Sequence, residues 1–302
     1  MQYINKIEGV VLVAISAVSF GLMPVFAKIA YTANTSTLTL LFLRFSVAAI
    51  FMFLLILMKR LVFPSKKEIL IFLLMGAVGY TGQSFCYFTA LNFASASVVS
   101  LLLYTYPVMV MIGSALFLKE KITFRKILAL GFALTGAVVI IGAKGSANSI
   151  GIILSVASAV VYSGYILISS KVIKAGMEVQ SSAFIMLGAS IVYGIVNFTS
   201  GFSAPQNIKG ISAVVMIALI STVLAFWSFF SGLEKIGPSS AALVSILEPV
   251  VTVFSSVMIL SEKITLNIII GGFLVIVSLL VILTSASESD ETETISLTKN
   301  ST

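Results

Sequence analysis

Glu248 and Arg44 are the ionisable residues set deepest within the long apolar stretches of this 302-residue chain. Ser245, Glu248, Thr252 and Ser255 follow one another at i, i+3, i+7 and i+10, which is one face of a helix. Glu248 lies about nine residues into its stretch, ~14 Å along a helix and near the middle of a bilayer's hydrocarbon slab. A carboxyl at that depth is costly, and such a residue is functional by default. Three roles are open to it: binding a substrate cation, carrying a coupling proton, or acting as a structural carboxylate paired within a bundle. Pro249 follows and has no amide proton, so an upstream carbonyl is freed nearby. Arg44 lies ~10 Å from the opposite membrane surface by the same helical rise, which brings the two charges to similar depth. The spacing predicts an ion pair, a two-pronged grip on a substrate carboxylate, or a structural arginine. Lys28 stands nearer a helix end and is expected mainly to snorkel to the surface.

Polar and aromatic stripes accompany these charges. Ser155, Ser158, Tyr162, Tyr165 and Ser169 share a face, as do Val13, Ser16, Phe20, Met23 and Ala27. Tyr80, Gln83 and Tyr87 form another, set against Thr222, Ala225 and Phe229 with Trp227 nearby; Ser97, Ser100 and Tyr104 form a fourth, followed by Tyr106. One polar and one apolar wall suit an amphipathic substrate. Aromatic side chains in such a face hold an apolar group or stack on a ring, and equally serve as core packing. The expected substrate-binding set is Glu248, Arg44, Tyr80, Gln83, Tyr87, Tyr104, Tyr106, Ser16, Ser158, Tyr162, Ser245, Thr252 and Trp227, with Glu248 the candidate for a coupling proton.

Other chemistries lack their residues. The chain has no histidine, and its one aspartate, Asp290, lies near the end. Metal clusters, acid pairs and Ser–His–Asp catalysis are therefore excluded. Cys86 stands alone, without a disulfide or histidine partner. There is no Gly-x4-Gly-Lys-[Ser/Thr] loop for nucleotide phosphates. No catalytic residue, metal or cofactor is expected, and the chain reads as a non-enzyme.

The elements that must position these residues follow from composition. The chain is 59% hydrophobic and 10% charged, with a mean hydropathy of +1.15. Soluble domains carry roughly 25% charged residues, so this chain partitions into lipid. Its apolar runs predict an all-α integral membrane protein with ten spans, near 8–30, 37–58, 68–91, 96–118, 124–143, 149–171, 180–200, 208–233, 239–260 and 265–284. The first run reads as a retained span rather than a cleaved signal, since no small-residue cleavage site follows it. If the N-terminus is cytoplasmic, thirteen Lys/Arg residues fall inside and three outside. That positive-inside bias places both termini in the cytoplasm and accounts for the net charge of +7 without nucleic acid. Anionic headgroups are the partners expected for these basic residues. Residues 285–302, acidic and rich in Ser/Thr, read as a disordered cytoplasmic tail.

The chain also contains itself twice. Residues 90–123 align without a gap on 232–265, with eleven of 34 positions identical, including Pro107/Pro249 and Glu120-Lys121-Ile122-Thr123/Glu262-Lys263-Ile264-Thr265. The same offset of 142 lays Gly9 on Gly151 and Ser16-Ala17-Val18 on Ser158-Ala159-Val160. Five spans per copy is an odd number, so the second copy must enter the membrane from the opposite face. The expected units are residues 1–145 and 146–284, two inverted five-helix repeats, a construction plan of secondary transporters.

The pattern Ser97-x9-Pro107-x12-Glu120-Lys121-Ile-Thr, repeated as Ser239-x9-Pro249-x12-Glu262-Lys263-Ile-Thr, resembles bacterial members of the drug/metabolite transporter superfamily, specifically EamA-type permeases. Phe20-Gly21 with Lys28, and Leu43-Arg44-Phe45, fit that resemblance, which covers about residues 8–284. The chain departs from many members in having Phe20 where Trp is frequent, with Met23-Pro24 just after. The resemblance implies ten helices in two baskets around a central cavity, and export of small metabolites. The expectation is a transporter of a small molecule, an amino acid or similar amphipathic compound, in a bacterial inner membrane. The rival classes are a membrane-embedded enzyme acting on lipid and a sensor built on the same bundle.

Overall fold

A computed structural model describes residues 2–117, 124–141, 147–174 and 176–281. Glu120–Thr123 of the repeated motif and the expected tail at 285–302 lie outside the described residues. Among the described residues the regular structure is helical, apart from an isolated bridge between Ala94 and Ala147. In order the helices are α1 (Gln2–Gly21), α2 (Met23–Thr32), α3 (Thr37–Met58), α4 (Lys66–Leu74), α5 (Thr81–Ala90), α6 (Ala96–Leu103), α7 (Tyr106–Phe117), α8 (Phe124–Ile141), α9 (Ser149–Val172), α10 (Glu178–Ser200), α11 (Ile208–Ala218), α12 (Ala225–Ser245) and α13 (Leu247–Leu260). The last helix among the described residues, α14, spans Leu266–Val281. Among the described residues, seven continuous helical stretches are long and apolar enough to cross a membrane, and Ile127–Ile140, Leu247–Leu260 and Leu266–Val281 are shorter apolar helices.

Starts of helices are written in the sequence. Ser36, Ser65, Ser95, Asn148 and Asn207 each accept, through the side chain, an amide proton from the first turn that follows. Each removes an orphan donor that apolar surroundings would leave unsatisfied. At Ser65 the bond is reciprocated by Glu68, a capping box.

Interruptions are the less regular part. The helical backbone breaks at Leu22, at Tyr104-Thr105 and at Ile246, and each following helix carries a proline in its first turn: Pro24, Pro107 and Pro249. Proline is tolerated there because the missing amide proton would have had no helical acceptor. Two of these breaks are repeat equivalents, while α9 runs unbroken where α1 gives way to α2. Pro24 explains that difference, since Ile166 occupies its repeat position. The expected interruption between 233 and 239 differs in place: helical backbone continues to Ser245. Pro238 withholds one amide proton, which is one bond out of the run and leaves the rest helical.

Met75–Tyr80 and Leu219–Leu224 are π-helical segments, one in each half. Thr81 and Thr222 donate their hydroxyls to the carbonyls of Gly76 and Ile217, five residues back, at 2.8 Å each. The hydroxyl satisfies a carbonyl that the widened turn leaves available, and such bulges favour functional sites.

Packing forms two groups. α1 lies along α12 and α13, with α2 against α11 and α13; α9 packs on α5, α6 and α7. Small residues allow this closeness: a Cβ at Gly232 would stand 2.8 Å from the Gly9 carbonyl oxygen. α3 and α10 pack together, joined by Ser46–Ser190 at 2.8 Å and by Thr39 donating to Asn197 at 2.8 Å. α14 meets α8, where Ser278 donates to the Ala129 carbonyl at 2.7 Å.

Candidate substrate cavity

Between the two groups lies a cavity of about 570 Å³, lined by Ser16, Arg44, Tyr80, Gln83, Tyr87, Tyr104, Tyr106, Tyr162, Ser245 and Glu248 among others. Its position follows from the interruptions. The breaks at Leu22, Tyr104-Thr105 and Ile246 sit beside it, and they place Tyr104, Tyr106 and Glu248 at the ends of half-helices rather than along straight ones.

The two charges face this space without forming an ion pair. Arg44 is 4% exposed, yet it makes no hydrogen bond or salt bridge among the described residues, and its Nε has no partner. Its guanidinium lies 5.0 Å from the Phe45 ring centroid and 5.3 Å from that of Phe88. Those rings offset part of the cost of burial through cation–π attraction. Glu248 stands beside the Tyr104 hydroxyl and feels the Arg44 charge from further off. The direct Arg44–Glu248 pair that depth alone allowed is thus not made. The reason is lateral: α3 is held to α10, and α13 to α1 and α2, with the cavity between them.

One wall is tyrosine. Ring centroids of Tyr104 and Tyr106 lie 6.1 Å apart, Tyr106 and Tyr162 4.7 Å, Tyr162 and Tyr165 6.0 Å, and Tyr165 and Tyr80 5.5 Å. The opposite wall is phenylalanine, with Phe20 edge-on to Phe226 at 5.3 Å and Phe226 stacked on Phe230 at 6.2 Å. Ser16 reaches across to donate to the Ala225 carbonyl at 2.8 Å.

Three residues expected in the site are elsewhere. Ser158 is fully buried behind Gln83, accepting from its Nε2 at 3.2 Å and donating to its backbone carbonyl at 3.1 Å. It positions Gln83, which does line the cavity. Thr252 is buried and donates to the Gly21 carbonyl at 2.9 Å, tying α13 to the end of α1. That role follows from α1 ending at Gly21, where helical acceptors fall free. Trp227 is 43% exposed and outside the cavity, because the lining residues Phe226, Phe229 and Phe230 set the inward face of α12. Sequence reasoning missed Phe226, Phe230, Phe88, Ile246 and Leu279. The i, i+3, i+4 aromatic spacing of Phe226, Phe229 and Phe230 was the signal for two of them.

A sequence model of the EamA-like transporter family matches residues 7–142 and again residues 149–284. The chain belongs to the EamA-like transporter family. Among curated relatives of this EamA-like chain, an uncharacterized transporter of Archaeoglobus fulgidus is 27% identical over 279 residues, 90% of this chain and 97% of the relative. The uncharacterized transporter YcbK of Bacillus subtilis is 27% identical over 196 residues, 61% of this chain and 62% of the relative. A solved crystal structure superposes with a TM-score of 0.66 at 18% identity, covering 93% of this chain and 98% of that one. That likeness concerns the fold. For an EamA-like chain, the long apolar helices mark a multi-pass membrane protein.

Proposed function

We propose that this chain is a secondary transporter of the cytoplasmic membrane that exports a small zwitterionic or amphipathic metabolite, an amino acid or a compound of similar size, by alternating access. The observation that carries the reading is the pair of mutually unpaired charges, buried Arg44 and half-buried Glu248, facing one cavity between a tyrosine wall and a phenylalanine wall. A zwitterion placed there puts its carboxylate on the guanidinium and its ammonium on the carboxylate. An apolar side chain then lies against Phe20 and Phe226. Its volume of about 570 Å³ is within the roughly 300–1,000 Å³ typical of small-molecule sites.

The proposal includes ten spans as two inverted five-helix units, residues 1–145 and 146–284, with both termini cytoplasmic. The exchange between inward and outward states is a rocking of the α1/α2/α11–α13 group against the α5/α6/α7/α9 group. Glu248 is the coupling group in this reading, taking a proton when no substrate ammonium is present. No cofactor takes part, and the chain acts as a carrier rather than an enzyme.

Counterflow into proteoliposomes loaded with unlabelled amino acid tests it. Accumulation of the labelled zwitterion, lost in Glu248→Gln, is the expected result. Equal flux in empty and protein-containing vesicles across zwitterionic, cationic and anionic metabolites sinks the proposal.

A further inference from the structure

The half of the molecule away from the N-terminus carries the turns at 33–36, 91–95, 201–207 and 261–265, and these touch one another. Asn34 donates to Gln206 at 2.8 Å, and the Asn148 amide to the Phe93 carbonyl at 3.1 Å. On this distal face the two helix groups meet, through α6 against α13 and α2. One side chain spans that meeting. The Glu262 carboxylate, just past the end of α13, accepts from the Ala96 amide, from the Ser97 hydroxyl at 2.9 Å and from the Ser97 amide at 3.3 Å. The Ala96 contact is short, 2.6 Å, as charge-assisted bonds are. Ser97 also touches the Ser256 hydroxyl of α13 at 2.7 Å.

We infer that Glu262, with Ser97 and Ser256, is the latch that holds the distal face shut and must release for the cavity to open there. This rests on the transport reading above. Ser95 caps α6 from its own segment by accepting from the Val98 amide, while the remaining first-turn amides of Ala96 and Ser97 are satisfied by Glu262 from the other helix group. Its aim is deliberate in the backbone: Ser261 is left-handed, at φ 53°, and turns the chain out of α13 so that Glu262 reaches across. Non-glycine residues adopt that region rarely, so the turn is held by what it positions. Reversibility follows from the surroundings. Glu262 is only half-buried and borders an open groove of about 940 Å³ shared with Lys28, Lys209 and Asn92. Water can therefore take over the carboxylate when it lets go, and the Lys28 charge lies close enough to act on it.

Spin labels read the latch without any substrate. In a Cys86→Ser background, labels at Asn92→Cys and Lys263→Cys report the separation of the two groups across the distal face in lipid nanodiscs. The unaltered latch gives mainly a short distance. Glu262→Gln and Ser97→Ala should each raise a longer-distance population by roughly tenfold, since each removes charge-assisted bonds made in the closed state alone. The double variant should add little to the larger single effect, both residues belonging to one contact. Unchanged distances in both variants overturn the inference, including the case where the melting temperature falls while distances stay, which is the behaviour of a structural cap. A shift in distance with no counterflow retires the transport reading and leaves the latch; counterflow with no shift does the reverse.

Discussion

The cavity's two walls descend from one repeated sequence and have become chemically different. On one side stand Tyr80, Tyr104, Tyr106 and Tyr162, with Tyr165 stacked on Tyr162 outside the lining; on the other stand Phe20, Phe226, Phe229 and Phe230. Repeat partners share position and not polarity: Tyr162 corresponds to Phe20, and Tyr106 to Glu248. The scaffold residues behave in the opposite way. Pro107 and Pro249 sit in the first turns of two half-helices beside the cavity, and Ser97 and Ser256, whose repeat mates Ser239 and Ser114 are also serines, occupy the interface where α6 meets α13. Symmetry is retained where backbones must bend or meet, and lost where side chains face the empty space. The substrate with two unlike ends proposed above would account for both.

The sharpest way to break this comparison is to remove its charge. Glu248→Gln should lower counterflow by roughly 100-fold, about 2–3 kcal/mol, because the buried Arg44 then faces a substrate that nothing holds at its other end. Arg44→Lys comes next, at roughly 30-fold, since a lysine keeps the charge but not the two-pronged geometry. It should raise the half-saturation concentration more than it lowers the maximal rate. Making the walls alike is the subtler test. Tyr162→Phe and Phe20→Tyr should each change the preference between apolar and hydroxylated side chains by about tenfold, in opposite directions, measured by competition in the same assay. Gly21→Ala probes the scaffold instead: its Cβ would stand 2.7 Å from the Glu248 carbonyl oxygen. A loss of about 1–3 kcal/mol is expected, seen as a melting temperature lowered by several degrees. Trp227→Phe should matter least, changing counterflow by less than about twofold, because the indole is outside the cavity.

Much of the helical layout was legible because lipid forces each span to satisfy its own backbone. The stretch expected at 37–58 is helix Thr37–Met58, and that at 149–171 is Ser149–Val172. The interruptions were not legible in the same way. Prolines hinted at them, yet Pro238 lies within helical backbone while Pro24 follows a break. Whether a freed carbonyl finds another donor depends on a neighbouring helix, as Gly21 does with Thr252. The site divides along the same line. Helical spacing put Tyr80, Gln83 and Tyr87 on one face, and all three line the cavity. It also put Thr252 with Glu248, but a face is wide enough to include both a cavity-lining residue and one buried against the next helix.

The sequence alone determined that this chain is helical, membrane-spanning and duplicated, because apolar length and self-similarity are properties of residue order. It also determined which residues break the duplication. Only the tertiary structure decided that Arg44 and Glu248 stay apart across a shared cavity, that Trp227 turns away from it, and that Glu262 reaches from one helix group to the other. Those outcomes depend on how helices rotate and approach one another. That is settled by contacts between segments far apart in the chain, which no local pattern encodes.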